Sequence, residues 1–220
     1  MEIEMKALVN EEQISKLIPY MDDETYFLIK SDNYFSFNGI EPKLPKDIIR
    51  IRKEKETNAF NMLKLDDRSF NSGISARNIR DILLEYSGLA SHWDLKYTSK
   101  TLLTVKKKNT DSYGIERNEE TEGELSSDAE SAFLKSLEIA NFKSYFLKRK
   151  RSFSFYIDNM HAELVSVNGI GPYLEVEYII DKNSDKNKAV NAVKGLFNNI
   201  LDITEFDKGD WPTIIEQESK

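Results

Sequence analysis

The chain is 220 residues long, carries a net charge of −7 and contains no cysteine. Its length predicts one domain, or one domain with an insertion, and a hydrophobic content of 40% excludes wholesale disorder. The lack of cysteine excludes disulfides, thiolate metal sites and cysteine nucleophiles, and two histidines are too few for a histidine-rich metal centre.

The charge balance and the apolar pattern also bear on partners and localisation. An acidic chain is a poor match for sequence-blind nucleic-acid binding, so we expect no nucleic-acid partner. No apolar run approaches the length of a membrane span, and the N-terminus lacks a signal-peptide pattern. We therefore expect a cytoplasmic protein with no membrane contact, present as a monomer or a homodimer.

The predicted elements alternate many short strands with a few helices. Strands are predicted, in chain order, at 1–9, 25–30, 32–37, 48–53, 58–65, 94–98, 100–108, 112–124, 144–158, 163–167 and 173–180. Helices are predicted at 10–21, 74–89, 129–141 and 188–201. Short connections between so many strands indicate an antiparallel sheet, in an α+β or barrel fold.

Charged residues recur at a spacing of two along several of these strands. The sets are Glu2/Glu4/Lys6, Arg50/Arg52, Lys106/Lys108, Arg117/Glu119 and Glu175/Glu177. Side chains two apart on a strand share a face, so the sheet has one charged face. An open sheet would expose that face to water, whereas a closed sheet would line a tunnel with acids and bases. Such a tunnel suits a polyanion with divalent cations, since Lys and Arg bind phosphate and carboxylates bind Mg²⁺ or Mn²⁺.

Six motifs follow one another in an order typical of one known family. They are Glu2-x-Glu4-x-Lys6, Asp32-x-Tyr34-Phe35, Arg50-x-Arg52, Leu103-Thr104-Val105-Lys106, Arg117-x-Glu119 and the segment Asn168–Glu177. Over residues 1–180 the chain resembles the CYTH superfamily, the triphosphate tunnel metalloenzymes, which includes class IV adenylate cyclases and thiamine triphosphatases. The resemblance implies an α+β fold, with a closed antiparallel β-barrel of about eight strands forming a charged tunnel, flanking helices and one inserted helical segment.

The resemblance also implies a role for each motif residue. It implies a metal-dependent enzyme that acts on a nucleotide or another organic triphosphate, with Mg²⁺ or Mn²⁺ as cofactor. The metal ligands would be Glu2, Glu4, Glu175 and Glu177, and the catalytic residues Glu2, Glu4, Lys6 and Arg117. Phosphate oxygens would be bound by Lys6, Arg50, Arg52, Lys106, Lys108, Arg117, Lys148 and Lys150. Further candidate substrate contacts are Asp32, Tyr34 and Glu119.

The reaction itself stays open at this point. The glycine turn at 168–172 resembles the cyclase branch best, which favours conversion of ATP to cyclic AMP and pyrophosphate. Alternatives are a triphosphatase for thiamine triphosphate or tripolyphosphate, and a lyase or hydrolase of an adenylated signal molecule. A non-catalytic module that binds a nucleotide or polyphosphate is the alternative outside the enzymes.

Some features depart from the family pattern or lie outside it. We predict a single domain over 1–205, with an insertion at about 55–98 as a lid over one tunnel mouth or an interaction surface. Val165 stands where the family usually has an aspartate. Strand parity predicts that Lys148 and Lys150 face inward. The acidic tail at 206–220 and the residues His92, Trp93 and His161 are expected to lie outside the site.

Overall fold

The computed structural model describes residues 2–43, 46–59, 75–89, 96–110, 116–181, 185–207 and 210–218. The strands in these ranges are β1 (Glu2–Leu8), β2 (Tyr26–Phe37), β3 (Lys46–Asn58), β4 (Thr98–Thr110), β5 (Glu116–Glu124), β6 (Phe142–Ile157), β7 (Met160–Val167) and β8 (Ile170–Ile179). The helices are α1 (Glu11–Leu17), α2 (Ala76–Leu89), α3 (Ser127–Ile139), α4 (Lys186–Leu201) and α5 (Trp211–Glu218), with a 3-10 turn at Ile18–Tyr20.

The strands form one curled antiparallel sheet. Their order is β1-β5-β4-β3-β2-β6-β7-β8, and β8 pairs in turn with β1. The α+β class and the eight antiparallel strands predicted from the sequence are confirmed. Closure of the sheet depends on the pairing of β1 with β5. Among the described residues this pairing has three residue pairs, against seven between β1 and β8, and residues 111–115 next to it lie outside the described part of the chain.

Several strands differ from the predicted ones at their ends. The two strands predicted within 25–37 are one continuous strand, because Ser31 and Asp32 stay in the ladder opposite Lys53 and Arg52. The strands predicted at 94–98 and 100–108 are likewise replaced by the single strand β4. β3 continues to Asn58, and most of the strand predicted at 58–65 lies outside the described residues.

The outer face of the sheet carries the main hydrophobic core. Fully buried side chains on β1, β6, β7 and β8 pack there against helices α1, α2 and α4. Alternation along each strand is the cause: Ile3 and Met5 of β1 are buried in this core, whereas Glu2 and Glu4 face the opposite side. The helices therefore cover the convex face, and the charged residues are left for the concave face.

Helix α2 lies in the stretch predicted as an insertion, and the helix predicted at 74–89 is present. Its side chains Ile79, Ile82 and Leu83 are fully buried in the main core, and the helix contacts α1, β7 and β8. The apolar stripe of this helix packs on the outer face of the sheet, and the role of the whole stretch at 55–98, as a lid or an interaction surface, stays a prediction. Residues 60–74 and 90–95, with His92 and Trp93, lie outside the described residues.

A tight turn between β7 and β8 fixes the register of the two strands. Asn168 and Gly169 both have positive φ, at 51° and 85°, as a two-residue hairpin turn requires. Gly171 then passes so close to β7 that a Cβ atom would lie 2.8 Å from the Val165 carbonyl oxygen. The register shifts between Val165 and Val167, next to this close approach, and beyond the shift Glu175 lies opposite Glu163 and Glu177 opposite His161.

Candidate active site in the charged cavity

The concave face of the sheet encloses a cavity of about 370 Å³, a size that suits a small-molecule ligand. Most of the residues predicted from the sequence as site residues line it. They are Glu2, Glu4, Tyr34, Arg50, Arg52, Lys106, Lys108, Lys148, Lys150, Glu175 and Glu177. They come from six strands, and strand parity brings them to one face. Lys148 and Lys150 both face inward, as their parity predicts.

Among the site residues whose side chains the structure describes, three do not line the cavity. Lys6 and Asp32 share the inward face of their strands with lining residues but are buried, with exposed fractions of 1% and 0%. Glu119 lies on the opposite, exposed face of β5, because Glu120 and Glu122 take the inward positions. Glu119 is therefore misplaced as a substrate contact by one residue, which on a strand reverses the face. The backbone of Arg117 pairs with Ile3, and its side chain lies outside the described part of the chain.

The cavity wall also contains charged residues that the motifs did not identify. They are Lys30, Glu54, Lys100, Glu120, Glu122, His161, Glu163 and Asp210. Strand parity could have found several of them, since Lys30 shares a face with Tyr34, and Glu54 shares a face with Arg52. His161, expected to be a packing or surface residue, lies in the cavity wall two residues from Glu163.

Asp32 holds three cationic side chains of the wall in place. Its carboxylate accepts two hydrogen bonds from Arg52, at 2.7 and 3.0 Å, and lies 3.3 Å from the Lys148 ammonium group and 3.6 Å from the Arg50 guanidinium group. Burial works against ionisation, but Arg52, Lys148 and Arg50 outweigh it and hold the pKa of Asp32 well below its usual range. Asp32 thus orients Arg50, Arg52 and Lys148, which are candidate phosphate-binding residues.

Arg50 extends from this group toward β4 and β5. Its Nη2 atom donates to Thr104 Oγ1 at 2.8 Å, and to carboxylate oxygens of Glu120 and Glu122 at 3.2 Å each. Thr104 is fully buried and donates in turn to Glu122 at 2.8 Å. The guanidinium plane is therefore fixed by groups on three strands, and a fixed guanidinium is well suited to bind a planar set of phosphate oxygens.

A second buried network surrounds Lys150. The Lys150 ammonium group bonds to both Glu163 and Glu175, and Lys30 lies 2.7 Å from Glu163. Burial favours the neutral carboxyl, but the charges of Lys150 and Lys148 prevail and lower the pKa of Glu175 to about 2. Glu175 also accepts a hydrogen bond of 2.7 Å from the indole Nε1 of Trp211. Glu175 is therefore fully engaged with protein partners.

The other predicted metal ligands lie in a different part of the wall, around Lys106. The Lys106 ammonium group is 3.3 Å from Glu2, 3.9 Å from Glu4 and 3.2 Å from Glu120. Burial raises the pKa of Glu2 to about 7 despite Lys106, and a hydrogen bond to Glu177 contributes to the rise. The carboxyl groups of Glu2 and Glu177 therefore lie within hydrogen-bonding distance of each other, and oxygens so placed can serve as ligands of one divalent cation.

The donor set fits a cation that is also held by its substrate. Among the described residues, no group of three or more acidic, histidine or cysteine side chains is assembled as a complete metal site. Mg²⁺ in phosphate-transfer sites commonly takes one or two carboxylates and completes its shell with phosphate oxygens and water. Glu2 and Glu177 can supply such a pair, with Glu4 beside them in the wall, whereas Glu175 is committed to Lys150 and Trp211.

One side of the cavity is aromatic. Tyr34, Tyr145, Phe146 and Trp211 all line it, and the Tyr34 ring lies 6.2 Å from Tyr145 and 5.6 Å from Phe146 between centroids. The Lys148 ammonium group is 5.9 Å from the centre of the Tyr34 ring. Burial, with smaller contributions from charges nearby, raises the pKa of Tyr145 above its usual value, so its phenol stays neutral. The aromatic rings offer a surface on which a planar group can stack.

The C-terminal helix α5 contributes to this wall, contrary to the expectation for the tail. Trp211 packs edge-on against Tyr173, with 5.2 Å between ring centroids, and joins a buried cluster with Val165, Val167 and Ile214. Val165, in place of the family's usual aspartate, thus provides an apolar surface for Trp211. Nothing local in the sequence of the tail indicates this contact, since it depends on residues more than thirty positions away.

No helix among the described residues is long and apolar enough to cross a membrane.

No family sequence model and no curated protein sequence matches the chain. Solved structures, in contrast, match along nearly its whole length. The PH1819 protein from Pyrococcus horikoshii OT3 superposes with a TM-score of 0.70 at 16% identity, covering 99% of both chains.

Two further matches have functional descriptions. A proposed adenylate cyclase from Vibrio parahaemolyticus has a TM-score of 0.60 at 13% identity, covering 98% of this chain and 97% of its own. HpAC1 from Hippeastrum, a proposed adenylyl cyclase with a dominant triphosphatase activity, has a TM-score of 0.55 at 14% identity, covering 99% and 96%. The chain therefore has the fold of these proposed cyclases, as its resemblance to the CYTH superfamily implied.

Proposed function

We propose that this protein is a metal-dependent enzyme that cleaves an organic triphosphate inside the charged cavity. The observation that carries the proposal is the placement of Arg50, Arg52, Lys106, Lys148 and Lys150 on one concave face beside the carboxylates Glu2, Glu4 and Glu177. Cations in this arrangement bind phosphate oxygens and stabilise the charge that develops on a leaving phosphate. The shared fold of the proposed cyclases supports the same conclusion.

The carboxylates and the cationic side chains of the wall would act together. Glu2, Glu4 and Glu177 would hold Mg²⁺ or Mn²⁺, which supplies positive charge to bridging phosphate oxygens. Arg50 and Lys106 would orient the phosphate chain. Asp32 would hold the side chains of Arg50, Arg52 and Lys148 in place. The aromatic side chains of Tyr34, Tyr145 and Trp211 would bind the organic part, which favours a ring-bearing triphosphate over tripolyphosphate.

The first candidate reaction is that of an adenylate cyclase. The ribose 3′-hydroxyl would attack the α-phosphorus of ATP, forming cyclic AMP and releasing pyrophosphate. Hydrolysis by water of ATP or thiamine triphosphate is the second candidate, and the triphosphatase activity of HpAC1 supports it. The same cavity residues would serve both reactions, because both reactions require the phosphate chain to be bound in the same way. They differ in the nucleophile.

Product analysis distinguishes these reactions. The purified protein is incubated with Mn²⁺ or Mg²⁺ and, in turn, ATP, thiamine triphosphate and tripolyphosphate, and products are identified by chromatography and ³¹P NMR. Cyclic AMP with pyrophosphate indicates the cyclase, and a diphosphate with orthophosphate indicates the hydrolase. Excess EDTA is expected to abolish either reaction. Binding without any product under all conditions would instead favour a non-catalytic module.

A matched pair of variants on β4 tests the cavity assignment. Lys106→Gln removes an inward cation and is expected to reduce turnover by about 100-fold, as removal of one transition-state donor does. Lys107→Gln, on the exposed face of the same strand, is expected to retain wild-type turnover. Equal activity of the two variants would contradict the proposal. Glu4→Gln is expected to abolish turnover with the fold intact.

A further inference from the structure

His161 is held on three sides in the cavity wall. Its Nε2 atom is 2.8 Å from the Ser154 hydroxyl, and its Nδ1 atom is 3.2 Å from a carboxylate oxygen of Glu177. The Tyr156 ring packs against the imidazole with 5.4 Å between centroids. Of the two histidines in the chain, His92 lies outside the described residues.

The partners of His161 assign a donor and an acceptor role to its two ring nitrogens, and the donor holds the Glu177 side chain. Carboxylate oxygens accept hydrogen bonds, so the tautomer that fits carries its proton on Nδ1 and donates to Glu177. In that tautomer Nε2 is the acceptor, and the Ser154 hydroxyl donates to it. Antiparallel pairing of β7 and β8 places His161 directly opposite Glu177, so the backbone supports this contact as well.

We propose that His161 is a positioning residue for Glu177, and that it sets the affinity of the cavity for a divalent cation. This inference depends on the proposed function, because Glu177 is assigned there as a cation ligand. An imidazole in this place would orient the ligating carboxylate of Glu177 beside that of Glu2 without itself touching the cation. Loss of such a supporting hydrogen bond typically weakens metal affinity by 10- to 100-fold.

The arrangement differs from direct ligation by the imidazole in a way that can be measured. Both ring nitrogens are already used, one by Ser154 and one by Glu177, so neither is directed at a cation. A directly bound nitrogen would favour transition metals over Mg²⁺, whereas an all-oxygen shell accepts Mg²⁺ and Mn²⁺ alike. The proposal therefore predicts Mn²⁺ bound by oxygen ligands alone.

The affinity of the full chain for Mn²⁺ tests the proposal without any turnover. It is measured from the EPR signal of the free ion. We expect His161→Ala to weaken Mn²⁺ binding by about 10- to 100-fold. His161→Asn, whose amide nitrogen can replace Nδ1 as donor to Glu177, is expected to restore most of the affinity. Ser154→Ala, which removes only the support of the ring, is expected to have a smaller effect. Lys107→Gln is the control outside the cavity.

Each outcome bears on a distinct statement. Unchanged Mn²⁺ affinity in His161→Ala would overturn the positioning role while leaving the proposed function intact. A ¹⁴N coupling of a directly bound imidazole in the pulsed EPR spectrum of the wild type would also overturn it. A wild type that does not bind Mn²⁺ would contradict the proposed function and the inference together. If His161→Ala fails to fold, by thermal melting without metal, the Asn and Ser154→Ala variants decide the question.

Discussion

At the scale of single residues, buried charge in this molecule is organised around a few carboxylates. Asp32 has no exposed surface and lies within 3.6 Å of three cationic groups, those of Arg50, Arg52 and Lys148. A buried charge without its partner is strongly unfavourable, so the three cations depend on this one carboxylate. Asp32 therefore has a structural role in the site, and its role as a substrate contact stays a prediction.

Replacement of Asp32 tests this dependence. Asp32→Asn keeps the shape of the side chain but removes the negative charge, and leaves three neighbouring cations to repel one another. We expect the free energy of unfolding, measured by urea denaturation at pH 7, to fall by about 3–5 kcal/mol. Asp23→Asn, at an exposed aspartate, is the matched control and should change it little. A loss no larger than that of the control would contradict the assignment.

The raised pKa of Glu2 predicts a pH dependence of stability. The pKa of Glu2 rises from 4.5 to about 7 in the folded protein, mainly through burial. Between these values the folded state holds a proton that the unfolded state has lost, so the contribution of Glu2 to stability falls as the pH rises through 7. In EDTA, Glu2→Gln should flatten this part of the profile, measured by urea denaturation at pH 5 to 8. Glu24→Gln should leave the slope unchanged.

At the scale of the elements, strand parity explains both the successes and the failures of the sequence interpretation. Lys148 and Lys150 were placed inward by counting from the apolar residues of β6, and they line the cavity. Glu119 was placed inward by the spacing of a motif, and Glu120 occupies that face instead. The face of β5 follows from its register with β4, where Lys106 pairs with Glu120. That register depends on a long-range pairing that the local sequence does not determine.

The packing partners of other elements could not be predicted from the sequence, for the same reason. Helix α2 was predicted correctly from its apolar stripe, but its packing surface on β7 and β8 is a tertiary property. The contribution of Trp211 to the wall requires α5 to dock beside Val165 and Tyr173. Hydrophobic periodicity identifies which face of an element is buried, and it does not identify the partner.

Helix α5 supports the site through one hydrogen bond, and this can be tested separately from packing. Trp211→Phe keeps an aromatic ring against Tyr173 but removes the indole N–H that donates to Glu175. A hydrogen bond to a buried charged group contributes about 1.5–3 kcal/mol, and we expect a loss of this size in the free energy of unfolding. Tyr156→Phe, at an exposed ring, serves as control. A loss under about 0.5 kcal/mol would show that Glu175 does not need the indole.

At the scale of the whole molecule, the pairings of β1 differ in length within the described part of the chain. There β1 pairs with β8 over seven residues and with β5 over three. Few hydrogen bonds at one seam make local opening there less unfavourable than elsewhere, and amide hydrogen exchange reports such opening. We expect peptides from β5 to exchange faster than peptides from β7, which lies between two well-paired neighbours. Equal protection of the two strands would show that the seam is as stable as the rest of the sheet.

The cavity charges also have a consequence for how ligands enter. Its cations are neutralised by its own carboxylates: Arg50 by Glu120 and Glu122, and Lys106 by Glu2 and Glu4. A phosphate chain that binds these cations must displace the carboxylates, which then need a new positive partner. Under the proposed function, a bound polyanion would release carboxylates for a divalent cation, and a bound cation would release Lys and Arg side chains for the polyanion. By thermodynamic reciprocity, each would then raise the affinity for the other by the same factor.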